Sequence, residues 1–272
     1  MEPFQAVVLG VVQGLTEFLP VSSSGHLVIF QHLFGLREPA LAFDISVHVG
    51  TLAAVLVYFY RDVGALVGRS AGFLGRLAVG RGSWAEVGSD RNLRLAWLIV
   101  AASVPTAVIG LLFHGIADRL FGSVRLVGVA LLVTCLLLIA TRWAPRRDRT
   151  VAQFSLAAAL AIGVIQGLAI IPGISRSGAT IALGLLLGLG RDTAARFSFL
   201  LSIPAICGAS VLAVRELAAG GGVPLPVVLL GTAVSALVGY AALWMLVWVV
   251  RRGRMHLFAP YCAVLGLLAL LW

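Results

Sequence analysis

The 272-residue sequence predicts an all-α polytopic membrane protein, made of two inverted-topology repeats with six transmembrane helices and two re-entrant helical hairpins. Three observations predict it. The composition is 60% hydrophobic and 11% charged, where a globular chain carries about 25% charged residues. Six apolar windows, at about 43–60, 95–113, 124–142, 196–215, 225–249 and 256–272, have roughly the 18-residue length of a spanning helix. The chain also nearly repeats itself. LGVVQGLTEFLPVSSSGH at 9–26 and IGVIQGLAIIPGISRSGA at 162–179 match without a gap at 8 of 18 positions.

The repeat divides the chain into halves, 1–150 and 151–272, that run in the same order. In the first, a short Gly-rich apolar segment (4–19) meets a Pro/Ser break (20–25), a second short piece follows (26–35), and three spans complete the half. The second has 155–171, a break at 172–178, 179–190, and its own three spans. An odd number of spans per half returns the chain to the membrane from the opposite face. Short interrupted segments at matching places in inverted halves mark a polar site near the midplane. Broken backbone is tolerated at that depth only inside protein or against a wet cavity. Segments 4–35 and 155–190 are therefore expected to be hairpins whose tips meet. Segment 61–94 reads mostly as a Gly/Arg connector with room for an amphipathic interfacial stretch. The length of 4–19 and its Gln13, Thr16 and Glu17 argue against a seventh span, and no Arg-bearing leader or cleavage site suggests a removed signal peptide.

The net charge of +9 rests on arginine alone, since the sequence has no lysine. Fifteen of the twenty arginines fall in alternate loops: Arg61, Arg69, Arg76, Arg81, Arg91, Arg94; Arg142, Arg146, Arg147, Arg149; Arg191, Arg196; Arg251, Arg252, Arg254. The other loops hold Arg37, Arg119, Arg125 and Arg215, and Arg176 stands alone at the second break. Such a bias follows the positive-inside rule, with the fifteen-Arg side cytoplasmic and both termini outside. It also excludes the single soluble basic face that a nucleic-acid partner requires. Cys135, Cys207 and Cys262 lie in apolar runs without metal-ligand spacing and are expected to pack as small hydrophobes.

The chemistry lies where the two copies differ. Glu17, Ser23 and His26 in the first stand where Ile170, Arg176 and Ala179 stand in the second. A membrane-embedded Arg costs at least about 2.5–3.5 kcal/mol on insertion scales, so Arg176 needs an anionic partner. Ser175, Ser177 and Thr180, with a helix start near Ser177, add hydroxyls and free N–H groups that suit phosphate. In the first copy, Gln13 and Glu17 share one helix face, and with water they supply oxygen ligands for a divalent cation, Mg²⁺ or Ca²⁺. Ser22, Ser23 and Ser24 repeat the helix-start chemistry ahead of His26. The plain alternatives are an Arg176 that snorkels to the surface and a Glu17 kept as a structural ion-pair partner. Asp44 and His48 are weaker candidates beyond the first ligands, His32, His114 and His256 read as interfacial, and Glu2, Glu38, Glu86, Asp90, Asp118, Asp148 and Glu216 read as loop or terminal residues.

At these segments the chain closely resembles the undecaprenyl-diphosphate phosphatase family, integral-membrane enzymes associated with bacitracin resistance. The family pattern [E/Q]xxxE running into a Ser-rich turn and His is met by Gln13 to Glu17 and His26, and PGxSRSxxT is met by Pro172 through Thr180. Many members carry Glu where this chain has Gln13, which leaves one carboxylate in the motif. The resemblance implies hydrolysis of undecaprenyl diphosphate to undecaprenyl phosphate and inorganic phosphate, in a bacterial plasma membrane, with the site opening outward. It separates the chain from the lipid phosphatases whose first motif contains Lys. The expected mechanism has Arg176, the serines and the helix N-termini holding phosphoryl oxygens, a cation on Glu17 and Gln13, and His26 as nucleophile or as base for water or Ser23. The expected partners are the polyprenyl diphosphate, membrane lipid and a second copy in a homodimer, with no nucleic acid. A transporter or flippase of a polyprenyl phosphate is the competing reading, because inverted repeats with broken helices are also a transporter design.

Overall fold

A computed structural model describes residues 1–35, 41–115, 120, 122–145, 147–218 and 223–271. Arg37, Glu38, Asp118, Arg119 and Arg146 fall outside the described residues, as do the side chains of His114, Arg215 and Glu216. Helices α1 (Pro3–Phe18) and α2 (Ser23–Leu33) form the first hairpin, and α3 (Leu41–Tyr58) follows. Next come α4 (Tyr60–Ala78), α5 (Ala85–Ser89), α6 (Arg91–His114) and α7 (Val124–Ala140). The second half begins with the hairpin α8 (Leu156–Leu168) and α9 (Arg176–Leu186) and continues through α10 (Arg191–Ala218), α11 (Leu225–Arg251) and α12 (Ala259–Leu271). Among the described residues no strand forms, and the one β-bridge joins Arg149 to Leu189.

Among the described residues, four helices are long and apolar enough to cross a membrane: Arg91–Phe113, Val124–Trp143, Arg191–Val211 and Leu225–Arg251. A fifth span results if α3 and α4, bent by 81° at Phe59, are counted as one. The last apolar stretch, Met255–Leu271, is shorter and opens with a 3-10 turn, Met255–Phe258.

Segment 61–94 is more ordered than a connector. Its glycines Gly64, Gly68, Gly72 and Gly75 lower helix propensity, yet α4 forms because Leu66 and Phe73 bury one face. Ion pairs Asp62–Arg196, Asp90–Arg69 and Glu86–Arg76 pin its length. Tyr60, Val67 and Leu74 remain exposed, one heptad apart, as on a helix lying in a membrane interface. Asp90 caps α6 by accepting from the N–H groups of Asn92 and Leu93, and the bond from Leu93 leads in holding its carboxyl below the usual range.

The repeated glycines are explained by close helix approach. Gly10 and Gly14 lie against α11, where a Cβ at Gly10 would stand 2.7 Å from the Gly231 carbonyl oxygen. Their counterparts Gly163 and Gly167 lie against α6, where a Cβ at Gly163 would overlap the Ala102 carbonyl. Small residues four apart let helices touch backbone to backbone, which replaces the missing hydrophobic driving force in lipid. Each hairpin thus docks on a helix of the other half. Elsewhere α3 packs on α10 and α7 on α12. Phe18, Phe59 and Phe199 form a buried aromatic contact at the centre, with ring centroids 5.8 and 6.0 Å apart around Phe199. Cys135 and Cys262 are buried as expected, whereas Cys207 faces outward from α10.

Candidate active site

The hairpin tips meet. Pro20 breaks the chain after α1, and Ser22 caps α2 by accepting from the Gly25 N–H at 3.3 Å. The same hydroxyl oxygen accepts from the N–H of Gly173 in the second tip at 3.0 Å. Ser175 repeats the cap for α9, accepting from the Gly178 N–H at 3.1 Å. Thr134 of α7 clamps the second turn, donating to the Gly173 carbonyl at 2.9 Å and accepting from the Ser175 N–H at 3.0 Å.

Glu17 lies at the junction, 8% exposed, held beside the buried Phe18. Arg176 donates Nη2–H to Glu17 Oε1 at 2.7 Å across the tips. Ser23 donates its hydroxyl to Oε2 at 2.6 Å, and Gln13 donates Nε2–H to the same oxygen at 3.0 Å. His48 Nε2 stands 3.6 Å from Oε2, with Nδ1 bonded to the Asp44 carbonyl at 2.6 Å. The Asp44 carboxylate accepts from Gln31 at 2.6 Å, which ties α2 to α3. Among the described residues, two buried polar atoms here have no partner: Arg176 Nη1 and Gln13 Oε1. One asks for an acceptor, the other for a donor or a cation. An unpaired buried polar group costs roughly 1–3 kcal/mol, so the site is built to receive something.

Glu17, Ser23, Gln13 and Arg176 come together as the sequence leads one to expect, and His48 joins them. His26 hydrogen-bonds elsewhere. Its Nδ1 meets the Ser22 carbonyl at 2.7 Å and its Nε2 meets the Tyr261 hydroxyl of α12 at 2.7 Å. Ser175 and Ser177 are buried with their hydroxyls 3.3 Å apart, and Ser24 pairs likewise with Ser22. Thr180 donates to the Arg176 carbonyl at 2.8 Å and bonds Ser198 of α10. These last hydroxyls brace the tip from inside.

Among the described residues, no three His, Cys, Asp or Glu side chains gather at ligand spacing. The donor set is one carboxylate and the unpartnered Gln13 oxygen. That suits a hard divalent cation completed by water and phosphate oxygens, not one caged by protein alone.

The family model described as bacitracin resistance protein BacA matches residues 6–268. The chain belongs to the BacA family. It is 54% identical over 274 residues to the undecaprenyl-diphosphatase of Desulfosudis oleivorans, covering 98% of this chain and 97% of that protein. It is 52% identical over 275 residues to that of Desulforapulum autotrophicum (100% and 98% covered) and 44% identical over 269 residues to that of Korarchaeum cryptofilum (98% of each). With its long apolar helices, this BacA-family chain is a multi-pass membrane protein.

Four side chains of this BacA-family site carry no signal in the sequence: Tyr261, Thr134, Gln31 and Ser198. Thr134 and Tyr261 are lone polar residues in apolar runs, and Gln31 and Ser198 stand beside or near His32 and Arg196 without a motif of their own. Only the packing of distant helices reveals that each polar atom is spoken for.

Proposed function

We propose that the chain hydrolyses undecaprenyl diphosphate to undecaprenyl phosphate and inorganic phosphate, returning the lipid carrier to cell-wall synthesis. The observation that carries this reading is Arg176 Nη1, a buried donor without a partner beside a carboxylate that already holds a serine hydroxyl. A phosphoryl oxygen supplies the missing acceptor, and Arg recognises phosphate in a planar, two-pronged way.

Of the two nucleophiles, Ser23 is the better placed. A serine needs an adjacent base, and Glu17 Oε2 stands 2.6 Å from its oxygen. Ser23 Oγ attacks the terminal phosphorus, its proton passes to Glu17, and the bond to the bridging oxygen breaks to release undecaprenyl phosphate. Glu17 passes that proton to the departing phosphate oxygen. Water then attacks the phosphoserine, Glu17 takes the water's proton and returns it to Ser23 Oγ as the bond to phosphorus breaks, and inorganic phosphate departs. Arg176 holds the equatorial oxygens and stabilises their charge in both steps. His26 serves as an accessory group, because both its ring nitrogens are engaged at the tip. A divalent cation held by Glu17 and Gln13 Oε1 would neutralise phosphate oxygens when bound.

The rest of the reading concerns the frame. The halves 1–150 and 151–272 are inverted repeats with six spans in all, the two hairpins entering from opposite faces of a plasma membrane. Paired docking supports this: α1 on α11 is mirrored by α8 on α6, and α3–α10 and α7–α12 each join equivalent helices. The arginine bias supports external termini and an outward site. A homodimer is the proposed assembly.

Release of inorganic phosphate from undecaprenyl diphosphate by the purified protein in detergent micelles tests the reaction. Transport has no meaning in micelles, so release at wild-type levels supports hydrolysis. A protein that moves polyprenyl phosphate between vesicle leaflets but releases no phosphate in micelles is a flippase instead.

A further inference from the structure

The first tip has a second connection, to α12, that the phosphatase chemistry above does not use. Tyr261 and Cys262 both reach it: Cys262 Sγ approaches the Pro20 carbonyl at 3.5 Å, and the Tyr261 hydroxyl lies 2.7 Å from His26 Nε2. The phenol and imidazole planes are parallel within 5°, with centroids 5.7 Å apart. The roles of the two ring nitrogens follow from their partners. The Ser22 carbonyl only accepts, so Nδ1 carries the proton there. In the neutral ring Nε2 then holds the lone pair, and the Tyr261 hydroxyl donates into it. His26 is 4% exposed, whereas Tyr261 is 49% exposed. The outside therefore meets the phenol first.

We propose that Tyr261 is the positioning residue of His26: from α12 its hydroxyl holds the imidazole across the first tip and covers Nε2. A histidine fixed at one nitrogen by its own helix retains freedom about its side-chain torsions, and the bond from Tyr261 removes it. The strained turn at Ser22 makes this useful, because the carbonyl that orients Nδ1 belongs to the one non-glycine residue of positive φ among those described, φ 71°. Tyr261 supplies the second anchor that keeps both turn and ring in place. The proposal rests on the phosphatase reading only for its kinetic consequence.

Diethyl pyrocarbonate acylates an imidazole nitrogen that offers a lone pair, and mass spectrometry of the His26 peptide reads the extent without any substrate. Loss of one hydrogen bond is worth on the order of 1 kcal/mol, so Tyr261→Phe is expected to raise the rate of His26 labelling about five- to tenfold. Labelling of His48 in the same sample stays unchanged, which separates the effect from general unfolding. Turnover supplies the second arm. Tyr261→Phe lowers kcat with KM nearly constant, and adds no further loss in a His26→Ala background. Unchanged His26 labelling in Tyr261→Phe, or kinetic losses that multiply in the double variant, overturns the proposal. A wild-type protein that releases no phosphate overturns the phosphatase reading, and labelling alone then decides the role of Tyr261.

Discussion

The two hairpin tips share a frame and divide the chemistry. Each begins its second helix with a capping serine, Ser22 or Ser175, and each pairs that serine with another two residues on, Ser24 or Ser177, at 3.3 Å. The turn before the cap is made differently. In the second tip Gly173 takes the left-handed conformation, φ 103°, and Ser175 is ordinary at φ −73°. In the first tip Pro20 occupies the position equivalent to Gly173, and proline cannot adopt positive φ. The left-handed residue moves to Ser22, where it costs about 1–3 kcal/mol. That strain lies between Glu17 and Ser23, whose contact is the proposed pair of base and nucleophile. The relaxed tip carries the cation instead. One copy of the repeated turn holds the carboxylate, the other its counter-charge.

Arg176→Ala breaks the comparison most severely. It removes the phosphate donor and leaves Glu17 buried without its partner, so phosphate release should fall by about 10³ or more and stability by about 3–5 kcal/mol. Exchanging the charges, with Glu17→Arg and Arg176→Glu together, separates those effects. The double variant should melt closer to wild type than Arg176→Ala does, yet release no phosphate, since Ser23 then faces a guanidinium. Thr134→Val takes both hydrogen bonds from the second tip and should lower the denaturation midpoint by an amount equivalent to about 2 kcal/mol, with a smaller loss of turnover. The serine caps test the strain itself. Glycine should be tolerated better than alanine at both caps, but its advantage should be larger at Ser22, where it also relieves the positive φ, than at Ser175. Thermal unfolding of the four variants reads the order.

Much of this was legible in the sequence because the duplication aligns unlike residues at like places. Glu17 against Ile170, and Ser23 against Arg176, point to a divided site before any helix is placed. The Gly10 and Gly14 pair reads as close packing, although not against which helix. Local information ends there. Helix α4 reads in the sequence only as room for an amphipathic interfacial stretch, because the propensity cost of four glycines is overcome by Leu66 and Phe73 packing on the rest of the fold. The Tyr261 contact to His26 spans 235 residues, and no periodicity encodes it. The strain at Ser22 was also invisible, since nothing about a serine beside serines announces positive φ. Nor does hydroxyl chemistry tell one partner from another: Thr180 bonds the Arg176 carbonyl and Ser198, while Ser23 bonds the Glu17 carboxylate.

The most direct test of the divided site compares initial rates of phosphate release from undecaprenyl diphosphate by Ser23→Ala and Ser177→Ala, both purified and shown to melt like wild type. Ser23 holds the nucleophilic oxygen in this account, so its loss should reduce the rate by about 10³ or more. Ser177 only braces the second tip, and its variant should stay within about tenfold of wild type, the worth of a lost hydrogen bond. A Ser23→Ala protein that releases phosphate at a rate comparable to Ser177→Ala would contradict the account.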